Sequence, residues 1–133
     1  MRSLHNHEYV IFSIDGVDNT HKLAKFLRHM DTQNALGNMV GMMVHCIGSY
    51  KGKLEQSFLV RREDYSKHVA KSGYIDGQES VLFIHGESQD ARLHYLSGYN
   101  FELGKLTEVP MAEAMQHEGW TYVPAQDCYF VCK

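Results

Sequence analysis

Short runs of β-branched and aromatic residues, each closed by a turn signal, recur along this chain and constrain its fold most strongly. The first run, EYVIFSI, covers residues 8–14 and ends at Asp15-Gly16. Two more, SVLFIH at residues 80–85 and ARLHYL at residues 91–96, flank the polar turn from Gly86 to Asp90. Such residues favour pleated, half-buried strands. The chain is therefore predicted to be built around a β-sheet.

Residues 40–60 are predicted to form a β-hairpin with Tyr50 at its tip. Apolar residues occupy much of both faces in the segment from Val40 to Ile47, and EQSFLV at residues 55–60 alternates again after a turn from Gly48 to Gly52. A strand that is apolar on both faces is expected at the centre of a sheet or at a contact between subunits.

Two segments are predicted to be helical. The first can be capped by Asn19 or Thr20, extends to about Met30 and has one apolar face. That face has the i, i+3, i+4, i+7 spacing and comprises Leu23, Phe26, Leu27 and Met30. The second helix is expected from Arg62 to Lys71, ending at Gly73. Its inward residues are expected to be Tyr65, His68 and Val69.

The predicted order of elements is βαββαβ followed by one more strand, which is typical of a ferredoxin-like α+β sandwich, an antiparallel sheet with two helices on one face. The extra C-terminal strands are expected to supply sheet edges or oligomer contacts. They are the segments 105–109, 120–123 and 127–132, with a short helix at 111–117. A chain of 133 residues is too short for two ordinary cores, so residues 1–133 are predicted to form a single domain.

Composition and charge exclude several classes of function. A formal charge of −3 does not indicate a basic surface that could bind a phosphate backbone, so no nucleic acid partner is expected. No run approaches the roughly 18 to 20 apolar residues of a membrane span, and the polar start is unlike a secretion signal. Three cysteines without framework spacing, at positions 46, 128 and 132, are typical of free thiols in the reducing cytoplasm.

Common enzyme motifs are missing. Nine histidines, including His5-Asn6-His7, lack the spacing of metal ligands, so no metal or other cofactor is expected. Trp120 and Tyr122 are expected to be core or interface aromatics rather than a surface on which an adenine ring stacks. There is no phosphate-binding loop and no Gly-x-Ser-x-Gly elbow. What remains is the hairpin, with Tyr50 at its turn and Glu55 on its outgoing strand, a combination that is ordinary on composition alone.

The hairpin residues carry a family resemblance. Gly48-Ser49-Tyr50-Lys51-Gly52 followed by Glu55-Gln56-Ser57-Phe58-Leu59-Val60 resembles the signature segment of the phage S-adenosylmethionine hydrolases, now understood as S-adenosylmethionine lyases. Tyr9-Val10-Ile11 with Ser13 is similar to the first strand of that family, and Gln78 to Leu82 with Ala91 to Tyr95 is similar to its later hairpin. Most of the chain can be aligned with sequences of the family without large gaps.

The resemblance implies a cytoplasmic enzyme of an infected host cell that converts S-adenosylmethionine to 5′-methylthioadenosine and homoserine lactone, countering restriction-modification by depleting the substrate. It further implies a homotrimer with sites at subunit boundaries. Tyr50 and Glu55 would be the catalytic residues. The substrate-binding residues would be Ser49, Gln56, Ser57, Glu87 and Gln89, with the choice between Glu87 and Gln89 left open.

The chemistry of this substrate fits a chain without a nucleophile. The carboxylate of S-adenosylmethionine can attack its own Cγ, closing a five-membered ring and expelling a neutral thioether. Glu55 would hold the substrate ammonium, and Tyr50 would orient the reacting chain or face the sulfonium. Two alternatives stay open: hydrolysis to homoserine with Glu55 as general base, and a non-catalytic ferredoxin-like binding module that inhibits a host protein.

Overall fold

The strands of the chain close into an antiparallel barrel. The computed structural model describes residues 7–14, 20–70, 72, 80–95 and 97–133. Within them lie eight strands: β1 (Glu8–Ile14), β2 (Val44–Tyr50), β3 (Lys53–Arg61), β4 (Ser80–His85), β5 (Asp90–Tyr95), β6 (Asn100–Val109), β7 (Gly119–Val123) and β8 (Cys128–Cys132). Their order around the barrel is β1-β3-β2-β7-β8-β6-β5-β4, and β4 pairs with β1 to complete the circle.

One apolar cluster fills the inside of the barrel. It draws on seven of the eight strands, which places it on the shared inner face. Its buried members are Tyr9, Ile11, Cys46, Leu59, Ile84, Leu106, Val123 and Phe130. An eight-stranded barrel is just wide enough for side chains to fill its interior. The middle of this barrel is therefore core, and a ligand has access only at its ends or outer surface.

A second cluster joins the outer face of β1, β3 and β4 to the helices. The helix α1 (Thr20–Ala35) buries Phe26 and Met30 on this face, while Leu27 stays partly exposed. A short α2 (Arg62–Asp64) leads into a π-helical turn, Tyr65–Val69, which buries Tyr65, His68 and Val69 as the sequence predicts. The ring of Phe12 contacts those of Phe26, Phe58 and Tyr65. A four-residue α3 (Met111–Ala114) covers β6 and β8 elsewhere.

The β2 strand starts later than its sequence pattern suggests. The buried carboxylate of Asp64 accepts hydrogen bonds from the backbone amides of Val40 at 2.8 Å and Gly41 at 3.0 Å. These amides are held by a side chain rather than by a neighbouring strand. The strand predicted from Val40 therefore begins only at Val44.

The ferredoxin-like sandwich predicted from the sequence is wrong. The C-terminal strands are not additions to an edge, because β7, β8 and β6 bridge the gap between β2 and β5 and close the sheet. Closure pairs the backbone groups that an open sheet would leave at its edges. The local pattern identified these strands but not the pairing of β7 with β2, which joins segments distant in sequence and closes the barrel.

Barrel closure gives the first prediction. Phe130 would lie on an edge strand in the sandwich but is only 5% exposed inside the barrel. Phe130→Ala should therefore lower the free energy of unfolding by about 3 to 5 kcal/mol in a urea titration. The control is Phe101→Ala, which removes a 53% exposed ring and should cost less than about 1 kcal/mol. Equal losses in the two variants would contradict the closed barrel.

Candidate functional site

The β2–β3 hairpin positions the residues singled out by the sequence. Lys51 and Gly52 form its two-residue turn, with φ angles of 52° and 81°. Two successive left-handed residues are the signature of a type I′ turn, whose twist matches the flanking strands, and glycine adopts this conformation without strain. The turn fixes the register that pairs Tyr50 with Lys53 and Gly48 with Glu55.

Glu55 and Tyr50 project from the same face of the hairpin. Side chains alternate along a strand, so Glu55 and Ser57 share the face of Leu59, which lies inside the barrel. Tyr50 shares the face of Cys46, also inside, and is the diagonal neighbour of Glu55. We call this end, where β1 stops and the hairpin turns, the hairpin end. The sequence thus places a phenol and a carboxylate together at an opening of the barrel.

Two hydroxyls support the Glu55 carboxylate. Ser13, near the end of β1, donates a hydrogen bond from its Oγ to Oε2 of Glu55 at 3.0 Å. The Oγ of Ser57 lies 2.9 Å from that of Ser13, its direct partner across the strands. On the other side, a Cβ added to Gly48 would come within 2.9 Å of the Ser57 Oγ, so glycine makes room for this hydroxyl. The interior of the barrel is therefore polar at the hairpin end.

The Tyr50 ring is accessible to solvent, and the ammonium group of Lys51 lies over it. Its side chain is 58% exposed, and the Nζ of Lys51 lies 5.3 Å from its ring centroid. The same Nζ is 3.9 Å from a carboxylate oxygen of Glu118, and the backbone amide of Lys51 donates to the Glu118 carbonyl at 2.9 Å. The ring can face a cation, and an exposed lysine on it costs little to displace.

Ser49 and Gln56 lie on the opposite face of the hairpin from Glu55. They follow the alternation of His45 and Phe58, and Phe58 packs into the outer cluster. The amide oxygen of Gln56 is hydrogen bonded to the ring of His45. Within one chain the structure therefore brings Tyr50, Glu55 and Ser57 to one face and separates Ser49 and Gln56 from them.

Glu87 and Gln89 lie at the other end of the barrel, which we call the far end. Their turn follows His85, which pairs with Glu8 at the start of β1, whereas the hairpin end is where β1 stops. Gln89 has a φ of 64°, and its side-chain amide donates to the Gly86 carbonyl at 2.6 Å, so it closes its own turn. Glu87 is exposed. One chain does not bring this turn to Glu55.

An open cavity of about 660 Å³ lies on the outer surface of β4, β5 and β6 beside that turn. The rings of Phe83 and His94 contact each other in its wall, with centroids 4.2 Å apart and an interplanar angle of 52°. Partial burial, and then the charges of Arg92 and Arg62, lower the pKa of His94. The two guanidiniums are already paired, Arg62 with Glu8 at 2.7 Å and Arg92 with Glu102 at 2.9 Å. Sequence reasoning missed this cavity because its lining comes from several separate elements.

The cysteines are unsuited to act as nucleophiles at neutral pH. Burial, with a smaller effect of Cys128, raises the pKa of Cys46 to about 12, and burial raises the pKa of Cys132 to about 11. All three thiols are free, and a thiol that stays protonated reacts poorly.

Among the residues that the structure describes, no three His, Cys, Asp or Glu side chains are grouped to hold a metal ion. None of the described helices is both long and apolar enough to span a membrane.

Comparison with known families adds to this geometry. The model of the S-adenosylmethionine lyase family matches residues 16–133, a span that includes the whole hairpin with Tyr50 and Glu55. No curated protein matches the chain.

Proposed function

Because the chain belongs to the S-adenosylmethionine lyase family and is an enzyme of that class, we propose that its active site is the polar group at the hairpin end. The observation that carries this proposal is the placement of the Glu55 carboxylate on the same inner face as the exposed Tyr50 ring. A carboxylate at an accessible opening is suited to an ammonium ligand, and S-adenosylmethionine carries one.

The proposed reaction gives 5′-methylthioadenosine and L-homoserine lactone. An oxygen of the substrate carboxylate forms a bond to Cγ, and the Cγ–S bond breaks with its electron pair moving to sulfur. The sulfonium leaves as a neutral thioether, so no proton has to be transferred. Enforced proximity of the two reacting atoms supplies much of the acceleration. The sulfonium already activates Cγ, so this step calls for neither a protein nucleophile nor a cofactor.

Glu55 and Tyr50 are proposed to orient the substrate. A charge-assisted hydrogen bond from the substrate ammonium to Glu55 fixes the amino-acid part. The Tyr50 ring then faces the sulfonium, or its hydroxyl positions the reacting chain. Because carboxylate and sulfonium neutralise each other as the ring closes, exclusion of water from this site favours the reaction.

A homotrimer with sites between subunits is proposed to complete the site. If the Glu87 turn also contacts substrate, it must come from another copy, because it lies at the far end of its own barrel. Exposed apolar side chains occur at both ends, Tyr50, Leu54, Tyr99 and Phe101 at the hairpin end and Leu36, Val40 and Met42 at the far end. Two different patches on one chain suit a head-to-tail contact, which closes into a ring when the rotation permits.

The proposed biological role is depletion of S-adenosylmethionine in the cytoplasm of an infected host cell. Restriction-modification enzymes that require this cofactor would lose it. The support for this role is the family membership together with the phage resemblance of the hairpin segment.

Removing the Glu55 charge should slow the reaction. A hydrogen bond to a charged group is worth about 1.5 to 3 kcal/mol, so Glu55→Gln should lower kcat/KM roughly ten- to a hundredfold. Release of methylthioadenosine, followed by chromatography with chelator present, measures this. The matched control is Glu63→Gln, which changes an exposed carboxylate on α2 at the far end. A folded Glu55→Gln variant with normal turnover would place the site elsewhere.

The route can be distinguished from hydrolysis by the early product. In oxygen-18 water, intramolecular attack gives unlabelled homoserine lactone first, because no water oxygen enters the ring. Direct attack by water gives labelled homoserine from the start. Mass spectrometry of samples quenched within the first turnovers separates the two routes. Labelled homoserine without lactone would reassign Glu55 as a general base.

Shared sites predict complementation between inactive variants. Glu55→Gln removes the hairpin carboxylate, and a Glu87→Ala, Gln89→Ala double variant alters the turn at the far end. Mixing the two under conditions of subunit exchange should restore activity, because some sites then combine two intact halves. Light scattering gives the mass of the assembly, and the unmixed variants are the controls. A fully active monomer would contradict the shared site.

A further inference from the structure

We propose that Ser57 and Ser13 are positioning residues, which act through a chain of two hydrogen bonds to hold the Glu55 carboxylate for the substrate ammonium. This inference rests on the proposed function, since it takes Glu55 as the ammonium ligand. Neither serine needs to touch the substrate. Ser57 is only 3% exposed, and Ser13 is partly buried at the end of β1.

The direction of the hydrogen bonds follows from the number of protons. An ionised carboxylate only accepts hydrogen bonds, so the 3.0 Å contact takes the proton of the Ser13 hydroxyl. Ser13 then has no hydroxyl proton left for the 2.9 Å contact with Ser57, so Ser57 must donate to Ser13. The order is Ser57 to Ser13 to Glu55. Each bond in such a chain polarises the next, which strengthens the last bond to the carboxylate.

The two hydroxyls are held on rigid elements rather than on loops. Ser13 and Ser57 are direct partners in the β1–β3 ladder, and Ser57 is also paired with the buried Cys46 of β2. The missing Cβ of Gly48 leaves the space that the Ser57 hydroxyl needs. Supports of this kind, on strands, locate a functional group more accurately than loop residues do.

The consequence for catalysis is orientation without a change of charge. A glutamate at the open end of a barrel has several rotamers, and fixing one of them keeps the bound substrate in the geometry in which its carboxylate reaches Cγ. Loss of a serine hydroxyl leaves the negative charge that attracts the ammonium. The substrate would still bind, but its carboxylate would be aligned with Cγ less often.

The first test is a set of single substitutions. Ser13→Ala and Ser57→Ala should each lower kcat about three- to tenfold, with KM changed less than about twofold. Ser13→Thr keeps the hydroxyl and should recover most of the loss. Thr107→Val, which removes a hydroxyl near the C-terminal end of β6, is the control and should keep normal kinetics. If Ser57→Ala does not fold, the kinetics of Ser13→Ala alone test the proposal.

The second test asks whether the serines act through Glu55. The Ser13→Ala, Glu55→Gln double variant should be no slower than Glu55→Gln alone, because the group that Ser13 positions is already gone. A double variant that is slower by the full factor of Ser13→Ala would overturn the proposal. So would normal kcat in both serine variants while Glu55→Gln is impaired. Normal turnover in Glu55→Gln would instead refute the proposed active site itself.

Discussion

Closure of the sheet through β1 is the constraint on which the rest of the molecule depends. β1 pairs with β3 on one side and β4 on the other, and these pairings give every strand two neighbours. A closed barrel of this size has an interior filled by side chains and no free sheet edge. Chemistry is then confined to the ends or the outer surface, and the hairpin end is where polar side chains enter the inner face.

The proposed site and the apolar core lie one after the other on the inner face of β3. Along β3 the inner face changes from Glu55 to Ser57 to Leu59, so three residues pass from an accessible carboxylate through a buried hydroxyl to the apolar interior. Ser57 is thus part of both, since its backbone belongs to the barrel ladder and its hydroxyl belongs to the polar group. A destabilised barrel and a displaced carboxylate are therefore separate effects that only kinetics combined with unfolding measurements can distinguish.

Local features were predictable from the sequence and distant pairings were not. The hairpin and the helix face depend on neighbouring residues, and both exist, although the turn predicted from Gly48 to Gly52 is only Lys51-Gly52. On the helix face Phe26 and Met30 are buried, and Leu27 is exposed. The pairing of β2 with β7 joins residues about 70 positions apart, which no local pattern encodes, so the fold prediction failed there. Alternation alone could have separated Ser49 and Gln56 from Glu55. The end occupied by the Glu87 turn follows only from the barrel topology.

The proposed chemistry and the proposed assembly depend on each other. Charge neutralisation between carboxylate and sulfonium gains from a dry site, but a single barrel leaves Tyr50 open to solvent at the hairpin end. Apolar side chains occupy the interior beyond Ser57, so the proposed site faces outward at the hairpin end. Water must therefore be excluded by something placed over the hairpin end. A second copy of the chain supplies that cover in the proposed trimer, and its far end would bring the Glu87 turn that one barrel holds away from its own carboxylate.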